Sequence, residues 1–263
     1  MQPYLLFGDP PKEGEEINWI FHHALDHTLF HIPGTPLAFT NFTVMLLLGF
    51  LVLVVIALTM DKKSAVPRGP FRNFFEGVML FIRDELARPA MGRELADGFV
   101  PFFSTTFLFI LTLNLLGLVP IPFVGGTATS SFMVTGTLAA FVLVVGIFSA
   151  IRHNGVGGFL KAFVPSGVPG WLVPLLFLLE LSGFLIKHGV LMVRLFANMI
   201  AGHLVVGAFI GLIFVTRSYL TAVPSVGLAL FVNGLELLVS LIQAYVFTLL
   251  SVLFVGGVVH PEH

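Results

Sequence analysis

The residues that could carry chemistry are ionisable side chains that interrupt two long apolar stretches in the last third of the chain. The stretches cover 170–215 and 223–259. Between them they contain Glu180, Lys187, His188, Arg194, Asn198, His203, Asn233, Glu236 and Gln243. At the centre of a membrane helix an ionisable group costs about 2.5–3.5 kcal/mol, so it needs a partner or a function. The pattern therefore favours ion transfer inside a membrane.

The types of these residues indicate two proton routes with a barrier between them. His203 and Glu236 can pass protons on, because both side chains titrate in an accessible range. Arg194 stays charged at every physiological pH and cannot relay a proton. Protons could pass Arg194 only on a mobile group, such as a partner's carboxylate that is ionised beside the guanidinium and neutral elsewhere.

The spacing of the polar residues places them on defined helical faces. Glu180, Lys187 and Arg194 are seven residues apart and therefore share one face. On the following stretch a polar stripe is formed by Asn233, Glu236, Ser240, Gln243 and Ser251.

If the two stretches form an antiparallel hairpin with its turn near residue 219, Arg194 lies level with Gln243, and His203 lies level with Glu236. Arg194 and His203 nevertheless point about 180° apart on an ideal helix. Both can face the last helix only if the helix curves, contains a π-bulge, or uses bridging water.

The composition excludes a water-soluble protein. Of 263 residues, 57% are apolar and 10% are charged, and the mean hydropathy is +1.00. That little charge cannot cover a soluble globule of this size. A net charge of −1 argues against a large nucleic-acid interface, and the absence of cysteine excludes disulfides, thiolate metal sites and cysteine catalysis.

Five apolar stretches predict an all-α integral membrane protein. They cover 41–60, 99–120, 130–151, 170–215 and 223–259. The first three each suit one crossing of a hydrocarbon core about 30 Å thick. The last two are too long for an upright span, so we expect long, tilted helices, and the absence of proline between Pro174 and Pro224 favours continuous ones.

The segments between the spans complete the predicted organisation. Residues 1–40 form an outer segment, 61–98 lie on the inner surface, 99–151 form a hairpin of two spans, 152–169 form an inner loop, and 170–263 form the long hairpin. An amphipathic helix is expected over 71–86, ended by Pro89. Most cations lie in 61–98 and 152–161, which predicts an N-terminus outside and a C-terminus inside.

The run from Arg194 to His203 (RLFANMIAGH), followed by Glu236 and by QAYVF from Gln243, closely resembles subunit a of the F-type ATP synthase. The resemblance covers most of the chain, including the run from Leu113 to Pro120 and Glu180, and it is weak in the first forty residues.

The resemblance implies a non-catalytic, proton-translocating stator subunit without a cofactor. Its partners would be the c-ring and the peripheral-stalk subunit b, in a bacterial inner membrane or an energy-transducing organelle membrane. Arg194 would face the c-ring carboxylate, with Gln243 beside it. The outer half-channel would be lined by His203 and Glu236, with Asn198 and Asn114 near it, and the inner one by Glu180.

Other readings remain open at this point. The chain could be a self-contained proton-coupled secondary transporter, although no inverted repeat is visible. Arg194 could be a structural ion-pair partner of Glu180 or Glu236. Asn114 and Asn233 could either form interhelical hydrogen bonds or line a channel. Lys187 and His188 could line the inner path, although extension of Lys187 to the inner headgroups is favoured. The spacing of His23, His27 and His31 allows a metal site, but an outer-surface helix is the favoured reading.

Overall fold

The computed structural model describes residues 28–31, 38–59, 69–119, 128–164, 168–216 and 218–259. Two strands, β1 (Thr28–His31) and β2 (Ala38–Thr40), pair antiparallel ahead of the helices. The helices are α1 (Asn41–Thr59), α2 (Pro70–Phe81), α3 (Arg88–Met91), α4 (Arg93–Leu118), α5 (Phe132–Lys161), α6 (Val173–Thr216) and α7 (Tyr219–Val259). A π-helical turn (Ile82–Ala87) joins α2 to α3, and a 3₁₀ turn (Ala128–Ser130) precedes α5.

Five of these helices, α1, α4, α5, α6 and α7, are long and apolar enough to cross a membrane. The prediction of an all-α, multi-pass membrane protein is therefore confirmed. The short strand pair was not predicted. It also changes the reading of the N-terminal histidines, because His31 ends a strand rather than continuing a helix. His23 and His27 lie outside the described residues.

The helix predicted for the inner surface is amphipathic as expected but does not end at Pro89. The chain stays helical through the π turn and α3, and stops only at Gly92, whose φ of 75° breaks the helical path. Pro89 lies in the first turn of α3, directly after the π turn, and does not end the helical path. The inward side chains Phe75, Ile82 and Leu86 are buried.

The expected loop after the third span is also helical at its start. α5 continues to Lys161 across a kink at Gly155, whose φ is 69°. Because this region of φ favours glycine, Gly155 lets the chain change direction between the two helical parts of α5. The third span is thus longer than its apolar stretch, 130–151, suggested.

The centre of the fold is the packing of α7 against α4, α5 and α6. Its core contains Phe103, Leu191, Leu195 and Phe247, all fully buried. α1 lies on the outside of α4, where Gly49 approaches the Leu113 side chain so closely that a Cβ would be 2.7 Å from it. Helix α1 is otherwise largely exposed, as expected of a surface that faces lipid.

The two overlong stretches form an antiparallel pair of continuous helices, as predicted. α6 contains 44 residues and α7 contains 41, which correspond to about 66 and 62 Å of helix. Only residues 217–218 separate them, next to the predicted turn position. Helices of this length exceed the hydrocarbon core and must incline within it or extend beyond it.

Candidate functional site

The polar stripe of α7 points into the helix bundle. Glu236 is 9% exposed and Gln243 is 2% exposed, while Ser240 and Ser251 are fully buried. Asn233, predicted on the same stripe, is exposed. The hydroxyl of Ser251 donates to the Phe247 carbonyl, as serines in membrane helices commonly do.

Three polar atoms of the α7 stripe have no hydrogen-bond partner among the described residues. They are Glu236 Oε2, Ser240 Oγ and Gln243 Nε2. Burying such groups unpaired costs free energy, and they are uncommon in native interiors. Each of these atoms can still donate or accept a hydrogen bond.

Gln243 is linked to α6 through Asn198. The Asn198 Nδ2 atom donates to Gln243 Oε1 at 3.3 Å. The sequence predicted that Arg194 lies level with Gln243. The residue that contacts Gln243 is Asn198, one helical turn from Arg194, so the predicted level of Gln243 along α6 is correct to about one turn. No hydrogen bond joins Arg194 to Gln243 within the described part of the chain.

Glu236 lies against the backbone of α6 at Gly202. A Cβ on Gly202 would overlap the Glu236 carboxylate, so the glycine makes the room that this carboxylate occupies. The neighbouring residue His203 is at the same depth, as the hairpin register predicted. Its Nε2 is buried and has no hydrogen-bond partner among the described residues, and no hydrogen bond or ion pair joins it to Glu236.

Arg194 is exposed on the surface of α6. The exposed stripe around it consists of Glu180, Lys187, Ala197, Ala201 and Ala208. No ion pair connects Arg194 to Glu180, to Glu236 or to any other described residue. The reading of Arg194 as a structural ion-pair partner therefore finds no support in the geometry.

Arg194 and His203 differ in exposure: Arg194 is exposed, while His203 is partly buried with its Nε2 enclosed. The α6 residues that contact α7 are instead Asn198 and Gly202, one and two helical turns from Arg194. Neither Arg194 nor His203 makes a hydrogen bond or ion pair with a described residue of α7. The continuous α-helical path of α6 keeps them on opposite sides.

The polar residues in the N-terminal half of α6 also differ in exposure. Glu180 and Lys187 are exposed, whereas His188 is 5% exposed. The His188 Nδ1 atom is 2.9 Å from the Phe184 carbonyl oxygen, and its ring packs 4.4 Å from that of Phe254. His188 is therefore held in an aromatic cluster rather than on the exposed stripe.

Asn114 is fully buried near the C-terminal end of α4. Its Oδ1 accepts a hydrogen bond of 3.0 Å from Thr129 Oγ1, which anchors the 3₁₀ turn to α4. Its Nδ2 has no partner among the described residues. The Oδ1 atom of Asn114 thus joins α4 to the 3₁₀ turn, while its Nδ2 atom has no hydrogen bond to a described residue.

Two residues of interest were not singled out from the sequence. Gly202 had a signal, since it follows the small residue Ala201 and directly precedes His203. Ser104 in α4 had none: it is buried and its hydroxyl has no partner among the described residues. A lone serine in a membrane helix usually bonds to its own backbone, so only the packing reveals this one.

No group of three or more histidine, aspartate or glutamate side chains able to hold a metal occurs in the described ranges. The mixed His–Glu–Gln–Asn set instead fits a pathway for protons. Its polar atoms are spread along two helices rather than converging on one point, as metal ligands must.

Comparison with known proteins gives one consistent answer. Residues 41–256 match the family model described as ATP synthase A chain. A protein named ATP synthase subunit a from Anaeromyxobacter sp. (strain Fw109-5) is 45% identical over 217 residues, which cover 81% of this chain and 52% of the relative. The protein of the same name from Myxococcus xanthus (strain DK1622) is 40% identical over 255 residues, covering 96% of this chain and 80% of the relative.

A third relative of that name, from Chloroherpeton thalassium (strain ATCC 35110 / GB-78), is 39% identical over 270 residues. The chain spans about half the length of the Anaeromyxobacter relatives it matches and about four fifths of the other two. The matched region contains every membrane helix and every residue of the site described above. With this match over most of its length and the predicted five-helix fold, the chain belongs to the ATP synthase A chain family.

Proposed function

We propose that this chain is the non-catalytic, proton-translocating stator subunit of the membrane sector of an F-type ATP synthase. Two offset half-channels would deliver protons to and from a carboxylate on the c-ring, with Arg194 between them, and the flow would drive rotation. The observation that supports the proposal is the contrast between Arg194 and the polar atoms of the hairpin. Arg194 is exposed and has no ion pair with a described residue, while polar atoms of His203, Glu236 and Gln243 are buried.

In the proposed outer half-channel, Glu236 and His203 hand protons inward. Both lie on the side of Arg194 and Gln243 that leads to the α6–α7 turn, and both present a buried polar atom that has no hydrogen bond to another described residue. Such atoms can gain and lose a proton without breaking an existing contact. Asn114 and Asn198 would support the path, the first through its uncommitted Nδ2 and the second by holding Gln243.

At the proposed transfer point, Arg194 meets the moving carboxylate of the c-ring. Small side chains at Ala197 and Ala201 flank the guanidinium on the exposed stripe. Small residues let another helix approach closely in lipid. A carboxylate that comes within about 4–6 Å of Arg194 is held ionised, because an opposite charge favours its charged form. The proton must therefore leave on one side of Arg194 and be replaced on the other.

On the inner side, Glu180 is proposed to accept the proton released from the ring. It is exposed on the same stripe, two heptads from Arg194 toward the start of α6. Lys187, between them, is proposed to extend to the inner headgroups. In the membrane of the cell or organelle, the N-terminus would be outside and the C-terminus inside, and subunit b of the peripheral stalk would hold the chain still against the ring.

The decisive experiment replaces Arg194 in the assembled complex. In inverted membrane vesicles, Arg194→Ala should abolish ATP synthesis driven by an imposed proton gradient, while the soluble head still hydrolyses ATP. Arg194→Lys should also fail, because lysine can lose its proton and lacks the planar fork of guanidinium donors. Lys187→Ala, which removes an exposed cation from the same stripe, is the matched control and should retain synthesis.

Normal proton-driven synthesis by Arg194→Ala would refute the proposal. Proton flux through liposomes that contain only the purified chain would favour the alternative, a self-contained proton-coupled transporter.

A further inference from the structure

A cleft of about 320 Å³ opens between the start of α4 and the end of the membrane part of α5. It is lined by Leu95, Phe99, Phe148, Ser149, Arg152 and His153. The lining has two chemical zones. Apolar side chains form the floor, and two basic side chains adjacent in sequence form one edge.

The apolar floor and the basic edge of the cleft lie at the depths of a lipid's acyl chains and headgroup, respectively. Phe99 begins the apolar stretch of α4, and Ile151 ends that of α5, so the floor lies at the margin of the hydrocarbon layer. Arg152 follows directly and lies where the hydrocarbon gives way to headgroups. The kink at Gly155 turns the helix three residues later.

The positive charge at the edge of the cleft is uncompensated. Arg152 is exposed, and no carboxylate of a described residue lies within ion-pair distance of it. Elsewhere on the same end of the bundle, Arg88 donates to Asp84 at 2.7 Å and to both oxygens of Asp97 at 3.1 Å. The protein thus neutralises Arg88 internally and leaves Arg152 open to an external anion.

We infer that this cleft binds an anionic phospholipid. The lipid phosphate pairs with Arg152 beside His153, and one acyl chain lies along Phe99 and Phe148. Basic pockets between membrane helices on the inner side recognise anionic headgroups in this way. A free phosphate ion would make no use of the apolar floor, and a zwitterionic lipid would bring its own cation to the basic edge.

The test uses the complete detergent-solubilised complex, stripped of bound lipid and titrated with cardiolipin or phosphatidylcholine. Binding to the chain is followed by native mass spectrometry and by thermal melting. We expect saturable binding of cardiolipin to the wild type and about fivefold weaker binding to Arg152→Gln, the loss expected for one membrane-surface cation. Phe148→Ala should weaken binding of long-chain cardiolipin through loss of the floor.

Lys161→Gln is the matched control, because it removes an exposed cation of the same helix that does not line the cleft, and it should bind as the wild type does. Inorganic phosphate at millimolar concentration should not displace the lipid. Equal affinity for phosphatidylcholine, full displacement by phosphate alone, or unchanged cardiolipin binding by Arg152→Gln would each overturn the inference. The readout is binding alone, so its outcome is independent of the proposed proton pathway.

Discussion

At the residue scale, the position of the Glu236 carboxylate depends on the absence of a side chain at Gly202. The carboxylate occupies the volume that a Cβ at Gly202 would need, and it comes to the surface of α6 at the level of His203. The side chain of Glu236 is long enough to move aside, so a larger residue at 202 should disturb proton transfer more than folding. Function and stability can therefore be separated at this position.

Gly202→Ala should reduce proton-driven ATP synthesis at least tenfold while changing the melting temperature of the complex little. The added methyl group forces the Glu236 carboxylate away from His203, and overpacking relieved by a flexible side chain has a small cost. Gly189→Ala is the control, because it lies on the same helix with nothing within 4 Å of its Cβ position, and it should leave ATP synthesis unchanged.

The double variant Gly202→Ala/Glu236→Asp should recover part of the ATP synthesis, because the shorter acid makes room for the added methyl group. Equal ATP synthesis by Gly202→Ala and the wild type would contradict the prediction.

At the element scale, two polar contacts near the middle of the long hairpin define its register. Asn198 of α6 donates a hydrogen bond to Gln243 of α7 at 3.3 Å. The contact of Gly202 with Glu236 lies further toward the turn. At the turn itself, the hydroxyls of Thr216 and Thr221 share a hydrogen bond.

A double-mutant cycle measures the link between Asn198 and Gln243. Asn198→Ala and Gln243→Ala should be non-additive by about 0.6 kcal/mol in the free energy of unfolding, the average for hydrogen bonds between membrane helices. Thr248 provides the control, since its hydroxyl donates to the Ala244 carbonyl of its own helix. The pair Asn198→Ala and Thr248→Ala should be additive. Additivity of Asn198→Ala with Gln243→Ala would remove the assigned role of the bond.

The bend in α5 is a second feature at this scale. Gly155→Ala should destabilise the protein by about 1–2 kcal/mol, because an L-residue is strained at a φ of 69°. Gly157→Ala, two residues further along, has no atom within 4 Å of its Cβ position and should be neutral or stabilising. Reversible unfolding in mixed detergent micelles checks both. A Gly155→Ala variant as stable as Gly157→Ala would show that the bend does not need glycine.

At the scale of the whole molecule, the distribution of cations predicts the orientation in the membrane. The absence of cysteine makes this testable with single substitutions. Lys161→Cys, at the end of α5, should react with a membrane-impermeant maleimide only from the inside, and Tyr219→Cys, at the α6–α7 turn, only from the outside. Both positions are exposed. Labelling of both from the same side would exclude the predicted five-crossing arrangement.

The sequence by itself determined the class of fold and the depth of the polar residues. Apolar length and the scarcity of charge require membrane helices, since lipid leaves no other way to satisfy the backbone. Numerical spacing also fixes relative depth in an antiparallel pair, which is why Glu236 was predicted at the level of His203. The same reasoning placed the turn near residue 219.

Only the tertiary structure decided which faces are inside and which neighbours touch. Arg194 and His203 are nine residues apart on one helix, yet Arg194 is exposed while the Nε2 of His203 is buried. This difference depends on where α5 and α7 pack against α6. The extension of α5 beyond Ile151, the end of α2–α3 at Gly92 rather than Pro89, and the fit of Glu236 against Gly202 likewise follow from packing. Local periodicity could not reveal them, because it describes one helix at a time and says nothing about the surface that another helix presents.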